Sequence, residues 1–367
     1  MGPGLYVHVP FCARKCAYCA FFSRPAEPDL VAAWLGGIER ELKRLPEGFA
    51  PESVFFGGGT PTVLAESDLA RLVERVRAQT DLSKVAEWTC EANPGTLTPG
   101  KAALLRAAGV DRMSIGAQSF SDETLQRLGR IHSAAETREA VARARAAGFA
   151  NVGLDVIYGV PGVSRESFRA DVEAALALDP EHVSCYSLEI EDGTPFAQEA
   201  RAGRMATSPE EQREQFDWAR RRLAAGGWAH YEISNFAKPG RECRQNSLYW
   251  SGGEYIGIGP AAHSHWRGAR WGNSAELPEW KRAFEEKLDP EAKARETLVM
   301  GLRRIRGWGR EEFRAATGFD YDALRGEEIA RLAKEGLLVA EPNGLRLAEN
   351  ALFVSDGFAQ VQNNVLT

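Results

Sequence analysis

Six short apolar runs, each followed by a longer amphipathic segment, occupy the first half of the chain and call for a parallel sheet. The runs are Leu5–Val9, Ser53–Phe56, Ala86–Cys90, Arg112–Ile115, Asn151–Ile157 and His182–Leu188. Between them the patterning predicts helices over Pro28–Leu45, Glu66–Gln79, Pro99–Ala108, Ser121–Leu128 with Ala134–Ala147, and Arg165–Leu178. Strands separated by helices do not pair as hairpins; they pair in parallel through right-handed crossovers. Six such units suit an α/β fold with an incomplete (β/α)6 barrel better than a closed eight-stranded one. In barrels of this kind function gathers at the C-terminal ends of the strands. The polar motifs sit at those ends. Three cysteines follow the first strand, Gly57-Gly58-Gly59-Thr60-Pro61 follows the second, and Glu91 follows the third.

The cysteines are Cys12, Cys16 and Cys19, spaced C-x3-C-x2-C, and they are half of the six in the chain. A structural zinc site usually needs four ligands, often as two C-x2-C hooks, and only one hook is present; His8 is the nearest histidine. A disulfide would leave an odd thiol. Three thiolates without a fourth can hold three corners of a [4Fe–4S] cluster and leave one iron open for chemistry. Gly57, Gly58 and Gly59 lack a Cβ, so backbone there can approach a ligand closely, although a tight strand-to-helix turn would explain the run equally well.

Composition bounds the partners. The formal charge is −6, so the net balance recruits neither nucleic acid nor an anionic membrane. The basic run Arg303-Arg304-Ile305-Arg306 reads as a solvated helix face. No secretory segment precedes the first motif and no run of about 18 apolar residues occurs, so a cytoplasmic location with reduced thiols is expected. Cys90 and Cys185 lie in strand-like contexts and are expected to be buried structural thiols; Cys243 lies in a polar loop.

Three regions are expected. Residues 1–195 form the partial barrel. Residues 196–290 are less regular, with a helix near Pro209–Ala225 and a stretch rich in Gly, Trp, Tyr and His. In residues 291–367 the patterning gives helices over Glu291–Leu302, Arg310–Ala316 and Tyr321–Glu335. A hairpin of Leu337–Ala340 and Leu345–Leu347 follows, turned by Asn343-Gly344. Helices followed by a hairpin suggest a small α+β winged-helix-like domain. Without a basic recognition face, a structural or docking role is expected of it rather than DNA binding.

With Cys12-Ala13-Arg14-Lys15-Cys16-Ala17-Tyr18-Cys19 and the glycine run before Thr60-Pro61, the chain resembles the radical S-adenosylmethionine (SAM) superfamily. That resemblance implies a [4Fe–4S] cluster on Cys12, Cys16 and Cys19 whose open iron is chelated by SAM. It also implies an electron donor for the cluster. If the chain is an enzyme, the reaction implied is reductive cleavage of SAM to a 5′-deoxyadenosyl radical. Further segments look like the oxygen-independent coproporphyrinogen III oxidase branch. They are Tyr6–Cys12, Phe56–Thr62, Glu91–Gly95, Ser114–Phe120, Leu128–His132 and Leu154–Gly162. The resemblance implies that Tyr6, Gly58, Gly59, Thr60, Glu91, Gln118, Arg130 and Asp155 line SAM sites, with Tyr18 covering the cluster or stacking near adenine. Carboxylates can accept from ribose hydroxyls or an amine, and Arg130 can pair a carboxylate bidentately.

Two departures select among branch members. The porphyrinogen oxidases carry a further cysteine two residues after the third, where this chain has Phe21, and they carry a longer leader than the four residues that precede the first strand here. Both features are similar to the heme chaperone (HemW-like) proteins, which implies heme as a ligand and recipient hemoproteins, such as respiratory enzymes, as partners. That group has an H-N-x-x-Y-W motif linked to heme. The corresponding segment here is Gln245-Asn246-Ser247-Leu248-Tyr249-Trp250, with Gln245 in place of the histidine. A Gln amide is a poor iron ligand, so Cys243, His263 and His265 are kept as alternative ligands. The alternative is that Tyr249 and Trp250 are core aromatics and His263 a hydrogen-bonded loop residue. Two other functions stay open. One is a true radical SAM enzyme of the branch: a methyltransferase, a cyclopropanase or a porphyrinogen oxidase. The other is a zinc-stabilised binding module.

Overall fold

The computed structural model describes residues 1–355, so residues 356–367 of the expected third region lie outside the described residues. The first half is six strand–helix units. In chain order these are β1 (Gly4–Val9), α1 (Pro28–Leu42), β2 (Ser53–Gly58), α2 (Glu66–Gln79), β3 (Glu87–Ala92), α3 (Pro99–Ala108), β4 (Arg112–Gln118), α4 (Asp122–Arg127), α5 (Ala134–Ala146), β5 (Asn151–Tyr158), α6 (Arg165–Leu176) and β6 (His182–Ser187). Each strand pairs in parallel with the next. The strands are buried on both faces, as parallel strands covered by helices must be; Leu5, Val7 and Val9 of β1 are wholly buried. Helix ends carry their own signals. Thr98 accepts from the Lys101 amide ahead of Pro99, and Ser133 with Glu136 forms a reciprocal capping box.

Residues 196–290 are more regular than their composition suggests. They hold α7 (Pro195–Arg201), α8 (Pro209–Ala225), β7 (Ala229–Glu232), β8 (Asn235–Ala237), α9 (Arg244–Trp250), β9 (Tyr255–Ile258), β10 (His263–Trp266), β11 (Ala269–Asn273) and β12 (Arg282–Lys287). These strands extend both edges of the sheet, whose order is β12-β11-β10-β9-β1-β2-β3-β4-β5-β6-β8-β7. Strand β9 pairs in parallel with β1, and the other additions are antiparallel. Strands β1 and β6 are not neighbours, so the barrel is unclosed. The strand character here was hard to read because strand pairing, not apolar alternation, creates it. Strand β12 is exposed along its whole length.

Between β8 and β9 the chain passes from one edge of the parallel strands to the other, under their N-terminal ends. Four strand-opening residues tie it there. Arg112, opening β4, donates from Nη2 to the carbonyls of Arg241 (2.7 Å) and Glu242 (3.1 Å). Glu87, opening β3, accepts from the Arg244 amide at 2.8 Å. Ser53, opening β2, donates to Gln245 Oε1 at 2.7 Å. Gly4, opening β1, donates to the Glu254 carbonyl at 3.0 Å. Helix α9 is therefore the floor of the open barrel.

The C-terminal region is α10 (Pro290–Gly301), β13 (Trp308–Gly309), α11 (Arg310–Thr317), α12 (Tyr321–Lys334), β14 (Leu338–Glu341) and β15 (Gly344–Leu347). Its three-stranded sheet, ordered β13-β15-β14, gives the helix–strand–helix–helix–hairpin order of a winged helix, with β13 in addition to the expected elements. The basic run corrects one expectation. It follows α10 rather than forming a helix face, and Arg304 is buried against the Trp308 ring at 3.9 Å and paired with Glu312 at 2.7 Å. Only Arg306 of the run is well exposed, at 64%.

Candidate cofactor site

Residues 10–24 leave β1 and return to it. The Cys12 amide donates to the Arg24 carbonyl at 3.0 Å and the Arg24 amide to the Pro10 carbonyl at 2.8 Å. The middle of this loop is tied outward: the Ala17 amide donates to Leu128, and the Phe196 amide at the start of α7 donates to Ala17, both at 3.1 Å. Cys12, Cys16 and Cys19 are free and partly exposed. Cys12 Sγ lies 3.7 Å from Thr60 Oγ1, and Arg130 Nη1 donates to Cys16 Sγ at 3.4 Å.

The glycine run is a shelf under this loop. The Gly59 and Thr60 amides donate to the Val9 and Phe11 carbonyls at 2.8 and 2.7 Å. A Cβ on Gly59 would stand 2.5 Å from the Phe11 carbonyl oxygen, so only glycine fits there. Gly58 has φ of 107°, and a Cβ there would meet the His8 ring at 2.6 Å. Burial holds His8 neutral, its pKa lowered to about 4. Its Nε2 donates to the Phe22 carbonyl at 3.3 Å, which leaves Nδ1 to accept from the Tyr6 hydroxyl at 3.3 Å.

A cavity of about 1220 Å³ opens at the C-terminal ends of the strands. The three cysteines, Tyr18, Gly58, Gly59, Thr60, Glu91, Gln118, Arg130 and Asp155 all line it. Two carboxyl groups stand on its inner wall. Burial, and next the charge of Asp155, push Glu91 up to about 8, against the pull of the Gly58 amide that donates to it at 3.3 Å. Burial pushes Asp155 up to about 6, opposed by the Ser184 and Ser114 hydroxyls. Gln118 Oε1 and Arg130 Nε are buried without a protein partner, in a place where nearly every polar atom is satisfied. These atoms, the glycine shelf and the thiols together fit a polar, amine- and carboxylate-bearing ligand beside a sulfur-ligated cluster. Among the described residues no three His, Cys, Asp or Glu side chains close around a point that would hold one metal ion.

Tyr6 lies apart from the cavity lining. It stacks on Phe55 (ring centroids 6.0 Å apart) beneath the site. The expected heme segment divides. Asn246 and Trp250 line the cavity. Gln245 is buried at the floor on Ser53, and Cys243 is wholly buried, with its thiol pushed up to about 12 by burial, rather than standing in an open polar loop. Tyr249 packs edge-on against Tyr255 at 4.6 Å. His263 is exposed in β10 rather than in a loop, beside Phe284, and His265 donates from Nδ1 to the Gly253 carbonyl at 3.3 Å. Neither histidine lines the cavity.

The far wall had no sequence signal. It includes Tyr186, Gln212, Glu232, Asn235, Arg303 and Phe353, which come from separate elements joined only by folding. Arg303 stacks over Trp250 at 4.6 Å and lies 4.0 Å from Glu232, so the C-terminal region closes the cavity.

Comparison with known proteins agrees with this architecture. Residues 6–175 match the radical SAM superfamily and residues 288–354 the HemN C-terminal domain. The heme chaperone HemW of Bacillus subtilis is 34% identical over 347 residues, 91% of this chain and 92% of that protein. The heme chaperone HemW of Escherichia coli is 35% identical over 346 residues, 88% of each chain. The HemW of Mycobacterium tuberculosis is 40% identical over 277 residues, 74% of this chain and 71% of that one. The solved coproporphyrinogen III oxidase (HemN) of E. coli, a radical SAM enzyme, superimposes with a TM-score of 0.83. It covers 98% of this chain and 89% of its own at 22% identity, which establishes a shared fold.

Proposed function

This chain belongs to the HemW heme chaperone family of the radical SAM superfamily, and from that premise we propose that it binds heme and hands it to hemoproteins. The superfamily implies a [4Fe–4S] cluster and SAM. Cys12, Cys16 and Cys19 would hold the cluster. Gly58, Gly59, Thr60, Glu91, Gln118, Arg130 and Asp155 would hold SAM, with Tyr18 over them. When bound, the cluster and SAM supply one-electron chemistry at the sulfonium; the residues around them place the ligand and keep water out.

The observation that carries the reading is that one cavity of about 1220 Å³ is lined by both the cysteine loop and Asn246 and Trp250 of the heme-linked segment. Phe21, where porphyrinogen oxidases have a further cysteine, is 68% exposed at the rim and offers an apolar surface instead of a ligand. Residues 1–195 would carry the cofactors, residues 196–290 the floor and sheet extensions, and residues 291–367 a lid-side domain that docks recipients. Hemoproteins such as respiratory enzymes would be the recipients, and the cluster would draw on an electron donor. Among the described residues no helix is long and apolar enough to cross a membrane. Anaerobically reconstituted protein should develop a Soret band on titration with heme. No retention at micromolar concentrations, with the cluster absorbance intact, overturns the reading.

A second reading, a radical SAM enzyme of the same branch, is favoured by one observation: every expected SAM residue except Tyr6 lines the cavity. Reduction with SAM should then release 5′-deoxyadenosine. Its absence, with and without heme, removes that reading.

A further inference from the structure

Gln118 is held in a backbone conformation that a glutamine does not adopt unaided. Its φ is +65°, in the left-handed region. The Ser119 amide donates to the Ala117 carbonyl at 2.8 Å, closing a three-residue turn about Gln118. Such turns with positive φ are rare and strained. The turn sits where the β4–β5 register shifts, between the Ile115–Leu154 pair and the Gln118–Val156 pair.

Two groups from outside the strand grip the turn. Asp171 on α6 is 3% exposed and uses both carboxylate oxygens. Oδ2 accepts from Ser119 Oγ and Oδ1 from the Phe120 amide, each at 2.6 Å. His132, kept neutral by burial, donates from Nε2 to the Ala117 carbonyl at 3.1 Å. The side chain that this turn presents is Gln118 itself, lining the cavity with its Oε1 buried and unpartnered. Its amide lies against Gly116, where a Cβ would stand 2.9 Å from Nε2.

We propose that Asp171, which does not reach the cavity, is a positioning residue: its carboxylate clamps Ser119 and Phe120 and so holds the strained turn that aims Gln118 at SAM. The inference rests on the reading of Gln118 as a SAM contact. Both carboxylate oxygens accept; an asparagine could keep the Phe120 bond only by presenting N–H to Ser119 Oγ, which would have to stop donating and accept a second time beside the Ser121 amide at 3.0 Å. Helix α6 follows β5, so the clamp reaches the turn from the next strand–helix unit along the barrel.

The test is a double-mutant cycle on cluster-reconstituted protein, read as SAM affinity by calorimetry and as cluster absorbance. Asp171→Asn should weaken SAM about tenfold with the cluster absorbance unchanged, and Gln118→Ala should do the same. In the Gln118→Ala background Asp171→Asn should cause no further loss, because nothing remains to be aimed. Ser119→Ala removes one of the two clamped donors and provides a second measure should Asp171→Asn fold poorly; it should weaken SAM through the same Gln118-dependent coupling. A full additive loss in the Gln118→Ala background, or unchanged SAM affinity in Asp171→Asn, overturns the proposal. Unchanged affinity in Gln118→Ala alone overturns instead the reading of Gln118 as a SAM contact.

Discussion

Arg130 joins Cys16 to β4. Its guanidinium donates from Nη1 to Cys16 Sγ at 3.4 Å and from Nη2 to the Gly116 carbonyl at 2.8 Å. A cysteine loop and a strand end 100 residues apart in sequence, Cys16 and Gly116, thus share one cation. Facing it are the Tyr18 hydroxyl and the Cys16 thiol, both of which hold its pKa up against burial. The sulfur it holds is one of the three that would bind the cluster. Arg130→Met, which keeps the bulk and loses the charge, should reduce cluster loading several-fold and weaken SAM by at least tenfold. Iron and sulfide per chain, followed by SAM titration, measure both. Full loading with unaltered affinity would contradict this role.

Glu91 and Asp155 make the ligand-free protein sensitive to alkali. The folded chain raises Glu91 from 4.5 to about 8 and Asp155 from 3.8 to about 6, chiefly by burial. The folded state therefore keeps protons that the unfolded chain has already released. The stability from these groups is complete below their unfolded values and is lost as pH rises toward 6 for Asp155 and 8 for Glu91. The melting temperature of the empty protein should fall by several degrees between about pH 6 and about pH 8.5. Glu91→Gln should flatten most of that slope. A slope unchanged by the substitution would show that other groups set it.

The floor of the barrel depends on one buried ion pair. Arg112 and Glu87 are 2.8 Å apart with side chains 3% and 7% exposed, and both also bind the segment that crosses to α9. Removing one partner leaves a buried charge, a loss of about 3–5 kcal/mol. Glu87→Ala should destabilise the protein by that order in denaturant unfolding and should lower heme retention through the displaced Asn246 and Trp250. A loss below about 1 kcal/mol would mean that water reaches Arg112.

The six thiols should divide into two reactivity classes. Cys12, Cys16 and Cys19 are partly exposed, whereas Cys90, Cys185 and Cys243 are buried. Burial raises all three of the latter, Cys185 and Cys243 to about 12, so little thiolate forms near neutrality. In cluster-free native protein a thiol reagent should count three fast groups, and three more only after denaturation. A fast fourth group, mapped to Cys243, would reopen that residue as an iron ligand.

Much of the barrel was readable because its signals are local. Helices over Glu66–Gln79, Pro99–Ala108 and Pro209–Ala225 lie where patterning puts them. The six parallel strands follow short, largely apolar runs, which amphipathic helices then separate. The sheet extensions were not readable. Strands such as Ala229–Glu232 and Arg282–Lys287 owe their form to pairing with distant partners rather than to any periodicity of their own. The strain at Gln118 was equally hidden, since nothing in the residue type demands positive φ; Asp171, 53 residues on, imposes it.

The amino-acid sequence alone determined the donors: three thiols on one loop, a run of glycines, and a fixed set of acids, amides and one arginine at strand ends. A residue's chemistry and its place along a strand are local properties, and the period of the pattern carries them. Only the tertiary structure decided which donors meet. It put Gln245 and Cys243 under the floor, Asn246 and Trp250 inside the cavity, and His263 outside it, although all five lie within 21 residues. The reason is geometric. A segment that passes under the ends of four strands, with a short helix in its middle, turns neighbouring side chains to opposite sides, and burial on one side or the other fixes what each can bind.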